Sequence, residues 1–259
     1  NVAHSFPTRR SSDLLLAALR VPGGSKVLVP AYGYGGLVPF LRALGYRVTT
    51  VDCGDDTPFP TPALLDRACT PDVRCVLLSD LFGQVPDVPA LAEVARLRGA
   101  CVIEDGGHAL GSRRGAEPAG SLADGATFRF DPGGPVHAFG GGMALALQAD
   151  AALRLPLSAE VPPPSTGATI GRILAEAGSE VARAELPRRI VAPVLEAEAV
   201  RPLAEWLDGA LRLRPPDGPV RGLSNLQARL GLAALDDLAR RMERRQVAAR
   251  RMLEALDLH

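Results

Sequence analysis

Six short apolar runs punctuate the first 150 residues: Val27–Val29, Tyr46–Val51, Arg74–Leu78, Cys101–Glu104, Ala126–Phe130 and Met143–Leu147. Most are continuous rather than alternating, which marks strands buried on both faces. Between them lie stretches of helical pattern at Gly36–Leu44, Pro60–Ala68 and Val88–Arg98, the last ending at Gly99. A strand that returns parallel to its neighbour needs such a crossover. The chain is therefore expected to form a three-layer α/β domain with a mainly parallel sheet from about Leu15 to Leu147. Ligands in such sheets sit beyond the carboxyl ends of the strands.

The pattern changes after Leu147. Pro162-Pro163-Pro164-Ser165 reads as a linker, Ile170–Leu186 and Ala199–Leu213 as helices, and Pro215-Pro216 as a second break. Ser224–Leu256 is a long Arg-rich amphipathic segment, one helix or two. The expected division is a large domain over 15–215 and a helical part over 216–259. At the other end, His4–Leu14 can be back-translated into a common short-read sequencing adapter, the alternative being a Ser/Arg-rich natural leader. Residues 1–14 are accordingly expected to be a scar that makes no core contacts. The chain is expected to be cut at both ends.

Composition excludes several function classes. Formal net charge is zero and aromatics make up 4%. Neither favours nucleic acid or an anionic membrane as partner. No apolar stretch is long enough to span a bilayer. Cys53, Cys69, Cys75 and Cys101 lack metal-ligand spacing, so they are read as reduced thiols in a cytoplasmic protein, with no metal site. Lys26 is the single lysine; the other 28 basic residues are arginine. That skew reads as coding bias in a GC-rich bacterial gene.

Motifs cluster at the expected carboxyl ends. Val102-Ile103-Glu104-Asp105-Gly106-Gly107-His108-Ala109 places Asp105 where a strand stops. By themselves Asp105 would read as a helix N-cap and His108 as a structural histidine. Val29-Pro30-Ala31-Tyr32-Gly33-Tyr34 ends in an aromatic that could simply pack on the next helix. Leu81-Phe82-Gly83-Gln84-Val85-Pro86-Asp87, Gly120-Ser121-Leu122-Ala123-Asp124 and Ser224-Asn225-Leu226-Gln227-Ala228-Arg229-Leu230-Gly231 follow in order. Together these segments resemble the DegT/DnrJ/EryC1/StrS sugar aminotransferases. The resemblance implies a fold type I large domain, pyridoxal phosphate as cofactor, amino transfer to a keto nucleotide-sugar, and a dimer. It also implies that Asp105 holds the pyridine nitrogen, that Tyr34 stacks on the ring and that His108 lines the site.

The family's central segment reads approximately Phe-Ser-Phe-x-Pro-Thr-Lys-Asn-Leu-Gly. Here the chain has Phe128-Arg129-Phe130-Asp131-Pro132-Gly133-Gly134. Arg129 stands for the phosphate-binding serine and Gly134 for the Schiff-base lysine. Arginine stays protonated and cannot form the imine. Lys26 precedes a strand and is expected at the amino edge, away from the site. Arg129 could grip the cofactor phosphate, answer Asp131 or face solvent. Three readings follow: a degenerate member without transamination; a non-catalytic subunit paired with an active paralogue; or a dehydratase-type enzyme using pyridoxamine phosphate with His108 or His137 as base.

Overall fold

The computed structural model describes residues 2–6, 11–33, 37–131, 134–155, 162–171, 173–174 and 222–256. Its centre is a seven-stranded sheet in the order β1-β9-β8-β5-β4-β2-β3. The strands are β1 (Val2–Phe6), β2 (Lys26–Pro30), β3 (Arg47–Val51), β4 (Val73–Ser79), β5 (Cys101–Asp105), β8 (Gly125–Arg129) and β9 (Gly142–Ala146). From β3 to β8 every pairing is parallel. β9 runs antiparallel to β8, and β1 antiparallel to β9. A small hairpin of β6 (Arg113–Arg114) and β7 (Glu117–Pro118) stands apart.

Helices α1 (Ser11–Ala18), α2 (Leu37–Ala43), α3 (Pro62–Ala68), α4 (Val88–Leu97) and α5 (Ala149–Ala152) accompany the sheet. Strand β4 shows why its run has no alternation. Cys75 and Leu77 enter a core that contains Leu15, Leu16 and Leu41, from α1 and α2. Val76 and Leu78 enter a second core with Leu65 and Leu91, from α3 and α4. Each fully buried leucine contributes roughly 2 kcal/mol from water exclusion.

The helix starts are chemical. Thr61 caps α3, its side chain accepting from the Leu64 N–H, with Pro62 in the first turn. Asp87 caps α4 by accepting from Ala90 N–H. Such caps are worth about 1 kcal/mol each. Near the other end, α6 (Asn225–Asp236) opens with a reciprocal Ser224–Gln227 capping box. α7 (Leu238–Ala255) follows after a break at Asp237, so Ser224–Leu256 is two helices. Phe130, Val136, Ala138 and Ala234 form a third small core that seats α6 over the segment between β8 and β9. The 215/216 boundary and the helix expected over Ala199–Leu213 lie outside the described residues.

Residues 1–14 correct one expectation. Among the described ones, Leu14 does make a core contact, packing half-buried on the first core, and Val2–Phe6 joins the sheet by backbone pairing with β9. The reason is backbone chemistry. An open strand edge accepts any extended segment, whatever its side chains. Deleting residues 1–10 is expected to leave cooperative urea unfolding with a midpoint shift equivalent to about 1 kcal/mol or less, because both main cores are built from Leu14 onward. Loss of cooperativity would show that this strand is integral to the fold.

Candidate functional site

The parallel strands deliver their last residues to one rim. β4 ends at Ser79, paired in register with Asp105, the last residue of β5. Asp105 is in turn paired with Thr127 of β8, two residues before Arg129. Side chains two apart on a strand share a face, so Ser79, Asp105, Thr127 and Arg129 point to the same side. Asp105 Oδ1 accepts the Gly107 N–H at 3.2 Å and lies 4.0 Å from Arg129 Nε. The two side chains are only 10% and 17% exposed, so water screens this pair far less than a surface one. Arg129 crosses directly over Gly107: a Cβ there would fall 2.6 Å from Nη2.

His108 follows in the same turn. Burial, reinforced by the Arg129 guanidinium and by Arg245, lowers its pKa, with Asp105 opposing. Arg245 comes from α7, and its Nη2 donates to the Gly134 carbonyl at 3.1 Å. Gly134 closes a turn, donating its N–H to the Asp131 carbonyl at 3.2 Å. The structure thus brings Asp105, His108 and Arg129 together and joins Gly134 to them through Arg245 and the Arg129 backbone. His137 is not part of this group. Its ring lies against Phe139, centroids 4.6 Å apart, and its Nε2 is buried without a hydrogen-bond partner. Tyr34 lies outside the described residues. Tyr32, two residues earlier, meets Phe82 at 6.4 Å, and both rings are exposed on this rim.

Lys26 is at the opposite edge. Its Nζ donates to Thr70 Oγ1 at 2.9 Å and pairs with Asp72 at 3.7 Å, both just ahead of β4.

Two acids beneath the rim escaped the sequence reading. Buried Glu104 accepts the N–H groups of Gly120, Leu122 and Ala123. Burial raises its pKa, and those three donors oppose the rise. Asp80 follows β4 and is 1% exposed, with neither carboxyl oxygen hydrogen-bonded. Burial, then the charges of Glu104 and Asp105, push its pKa up to about 8. Among the described residues no cluster of His, Cys, Asp or Glu could hold a metal ion, and no helix is long and apolar enough to cross a membrane.

The decisive comparison is with protein families: the model of the DegT/DnrJ/EryC1/StrS aminotransferase family matches residues 10–154, more than half of the chain. The chain belongs to that family. This DegT/DnrJ/EryC1/StrS member is 32% identical over 145 residues to the dTDP-3-amino-3,4,6-trideoxy-alpha-D-glucose transaminase of Streptomyces venezuelae, covering 55% of this chain and 38% of that protein. It superposes on the S. venezuelae DesV structure in complex with a ketimine intermediate with a TM-score of 0.55 and 30% identity, over 60% of this chain and 42% of that one. DesI with its TDP-sugar product shares the fold over 93% of this chain and 50% of that one, TM-score 0.62 at 23% identity. The chain spans less than half the length of the curated relatives it matches. The family is one of fold type I enzymes that use pyridoxal phosphate. Within this DegT/DnrJ/EryC1/StrS chain the residues do not fit covalent attachment of that cofactor. Among the described residues this rim carries no lysine, Lys26 lying at the opposite edge, and Asp105 already faces a guanidinium.

Proposed function

We propose that this chain is a degenerate, cytoplasmic member of the sugar aminotransferase family that does not transaminate. The observation that carries the reading is the Arg129–Asp105 contact beside Gly134. A carboxylate at the end of β5 is suited to hold a protonated pyridine nitrogen. Arg129 offers the same carboxylate a permanent cation at close range, so a ring nitrogen must compete with it. An imine needs an amine within bonding reach, and the only side-chain amine is engaged by Thr70 and Asp72 at the far edge. The family role, amino transfer to a keto nucleotide-sugar, describes the ancestry of the site. Pairing with a second subunit, its own copy or an active paralogue, remains part of this reading by kinship.

One observation supports a second reading. The lowered pKa of His108 keeps its imidazole neutral near pH 7, the form a general base requires. A noncovalently held pyridoxamine phosphate with His108 as base would use it. His137, turned against Phe139, offers less.

The test is borohydride reduction of the purified chain with pyridoxal phosphate, followed by peptide mapping. No stoichiometric side-chain adduct is expected. A stoichiometric adduct at Lys26, with transamination lost in Lys26→Ala, would overturn the proposal. A pyridoxamine phosphate absorbance change on binding, abolished in His108→Ala, would favour the second reading. Gly134→Lys alone is expected to restore cofactor binding weakly, since its Cβ would meet the Asp131 carbonyl at 3.2 Å and Arg129 would still face Asp105.

A further inference from the structure

At the amino ends of β4 and β5, opposite the rim just described, Cys75 and Cys101 sit side by side in register on parallel strands. Neighbouring strands lie about 4.7–4.9 Å apart. A disulfide requires a Cα separation of about 4.4–6.8 Å. Both residues face the first core, Cys75 fully buried in it and Cys101 half-buried against it. Their side chains therefore leave the sheet on the same side. The Cys101 thiol donates to the Arg74 carbonyl at 3.3 Å. The remaining two cysteines are placed elsewhere, Cys53 donating to the Pro58 carbonyl and Cys69 buried at the end of α3.

We propose that Cys75 and Cys101 are a reversible disulfide site, oxidised by small disulfides of the glutathione class. Cys101 is the entry point because it is the partly exposed thiol of the two. Its thiolate, after losing a proton to solvent, attacks one sulfur of glutathione disulfide. That S–S bond breaks, and one glutathione leaves with the electron pair. The Cys75 thiolate then attacks Cys101 Sγ, the mixed disulfide breaks, and the second glutathione leaves. Two protein thiols are oxidised and one glutathione disulfide is reduced to two thiols. The Cys101 thiol and burial push the Cys75 thiol well above its usual value. Thiolate supply limits such attacks, so the closing step is slow at neutral pH and quickens as pH rises.

The experiment uses the full chain and glutathione at graded disulfide-to-thiol ratios, with alkylation and tryptic mapping. Cleavage at Arg74, Arg96, Arg98 and Arg113 puts Cys75 in peptide 75–96 and Cys101 in peptide 99–113. The expected product is a linked 75–96/99–113 pair, with two of the four thiols lost to titration and regained on adding dithiothreitol. The oxidised chain should melt several degrees higher, because the link closes a long loop. A glutathione adduct on Cys101 that persists while Cys75 stays alkylatable would overturn the proposal, as would two thiols that never react. Cys75→Ala should stop at the glutathione adduct. If that core variant fails to fold, Cys101→Ser, at a partly exposed position, must abolish the linked pair.

Discussion

Glu104→Gln is expected to lower stability by roughly 2–4 kcal/mol, read as a lower urea midpoint at neutral pH. Oε1 accepts the N–H groups of Leu122 and Ala123, and Oε2 accepts that of Gly120. The pocket is lined with donors and has room for acceptors alone. Glutamine must point its NH₂ group at one of them, leaving a buried N–H without an acceptor. Gly120 cannot easily swing away, for its φ of +83° is a glycine conformation and Phe128 packs within 2.9 Å of where a Cβ would be. The turn also carries Asp124, which accepts from Val102 N–H, Arg96 and Gln148 and so ties β5, α4 and the end of β9 together. An unchanged midpoint would mean that the turn is held by something other than Glu104.

Asp80→Asn is expected to stabilise the protein, increasingly so as pH rises. The folded pKa of Asp80 is about 8 and its ordinary value 3.8. A raised pKa means the folded state holds a proton that the unfolded chain has released. Its contribution is fully present below about pH 4, declines through the window, and is gone once pH passes about 8. Up to about 1.4 kcal/mol is lost per pH unit inside that window. Between about pH 5 and pH 8 the Asp80 share is on the order of 3–4 kcal/mol. Asparagine stays neutral and removes this share, leaving the part that Glu104 adds in the same direction. Urea midpoints at several pH values decide it. Parallel pH profiles for the two proteins would show that Asp80 is charged, or hydrated, in the folded state.

Much of the fold was legible because both faces of the central strands are buried. β2 reads Val-Leu-Val, β4 contains Cys-Val-Leu-Leu and β5 opens Cys-Val-Ile, and the helices α2, α3 and α4 between β2 and β5 mark parallel crossovers, although the order of the strands in space was not legible. The helices over Pro60–Ala68 and Val88–Arg98 were legible from local pattern, while the caps Thr61 and Asp87 were found in the structure. β1 was not legible. Val-Ala-His-Ser-Phe has no long apolar run, and its partner β9 lies some 140 residues away. The hairpin β6–β7 is two residues per strand and fully exposed, so no hydrophobic period marks it.

At the rim, Asp105 and Arg129 were singled out from position and motif, and Gly134 from its place in the motif that resembles the family's central segment. The mutual contact of Asp105 and Arg129 was not, because it depends on how two strands are paired. Arg245 illustrates the limit most clearly: it reaches Gly134 across 111 residues of sequence. Asp80 and Glu104 hid for a related reason. Each sits beside a turn, where acids usually face water, and only packing reveals that these two do not.

The strand pairing at the sheet's margin has a practical corollary. β9 reads Gly-Met-Ala-Leu-Ala, without a charge or proline, and β1 is what occupies its outer edge. A chain shortened at its start would keep its cores but present that uncharged edge to other copies, and such edges recruit strands from neighbouring molecules. Preparations lacking the first ten residues should therefore turn cloudy as concentration rises, while dilute samples stay clear and folded. The opening segment would then matter as a chaperone-like cover for colloidal behaviour, independent of any part in chemistry.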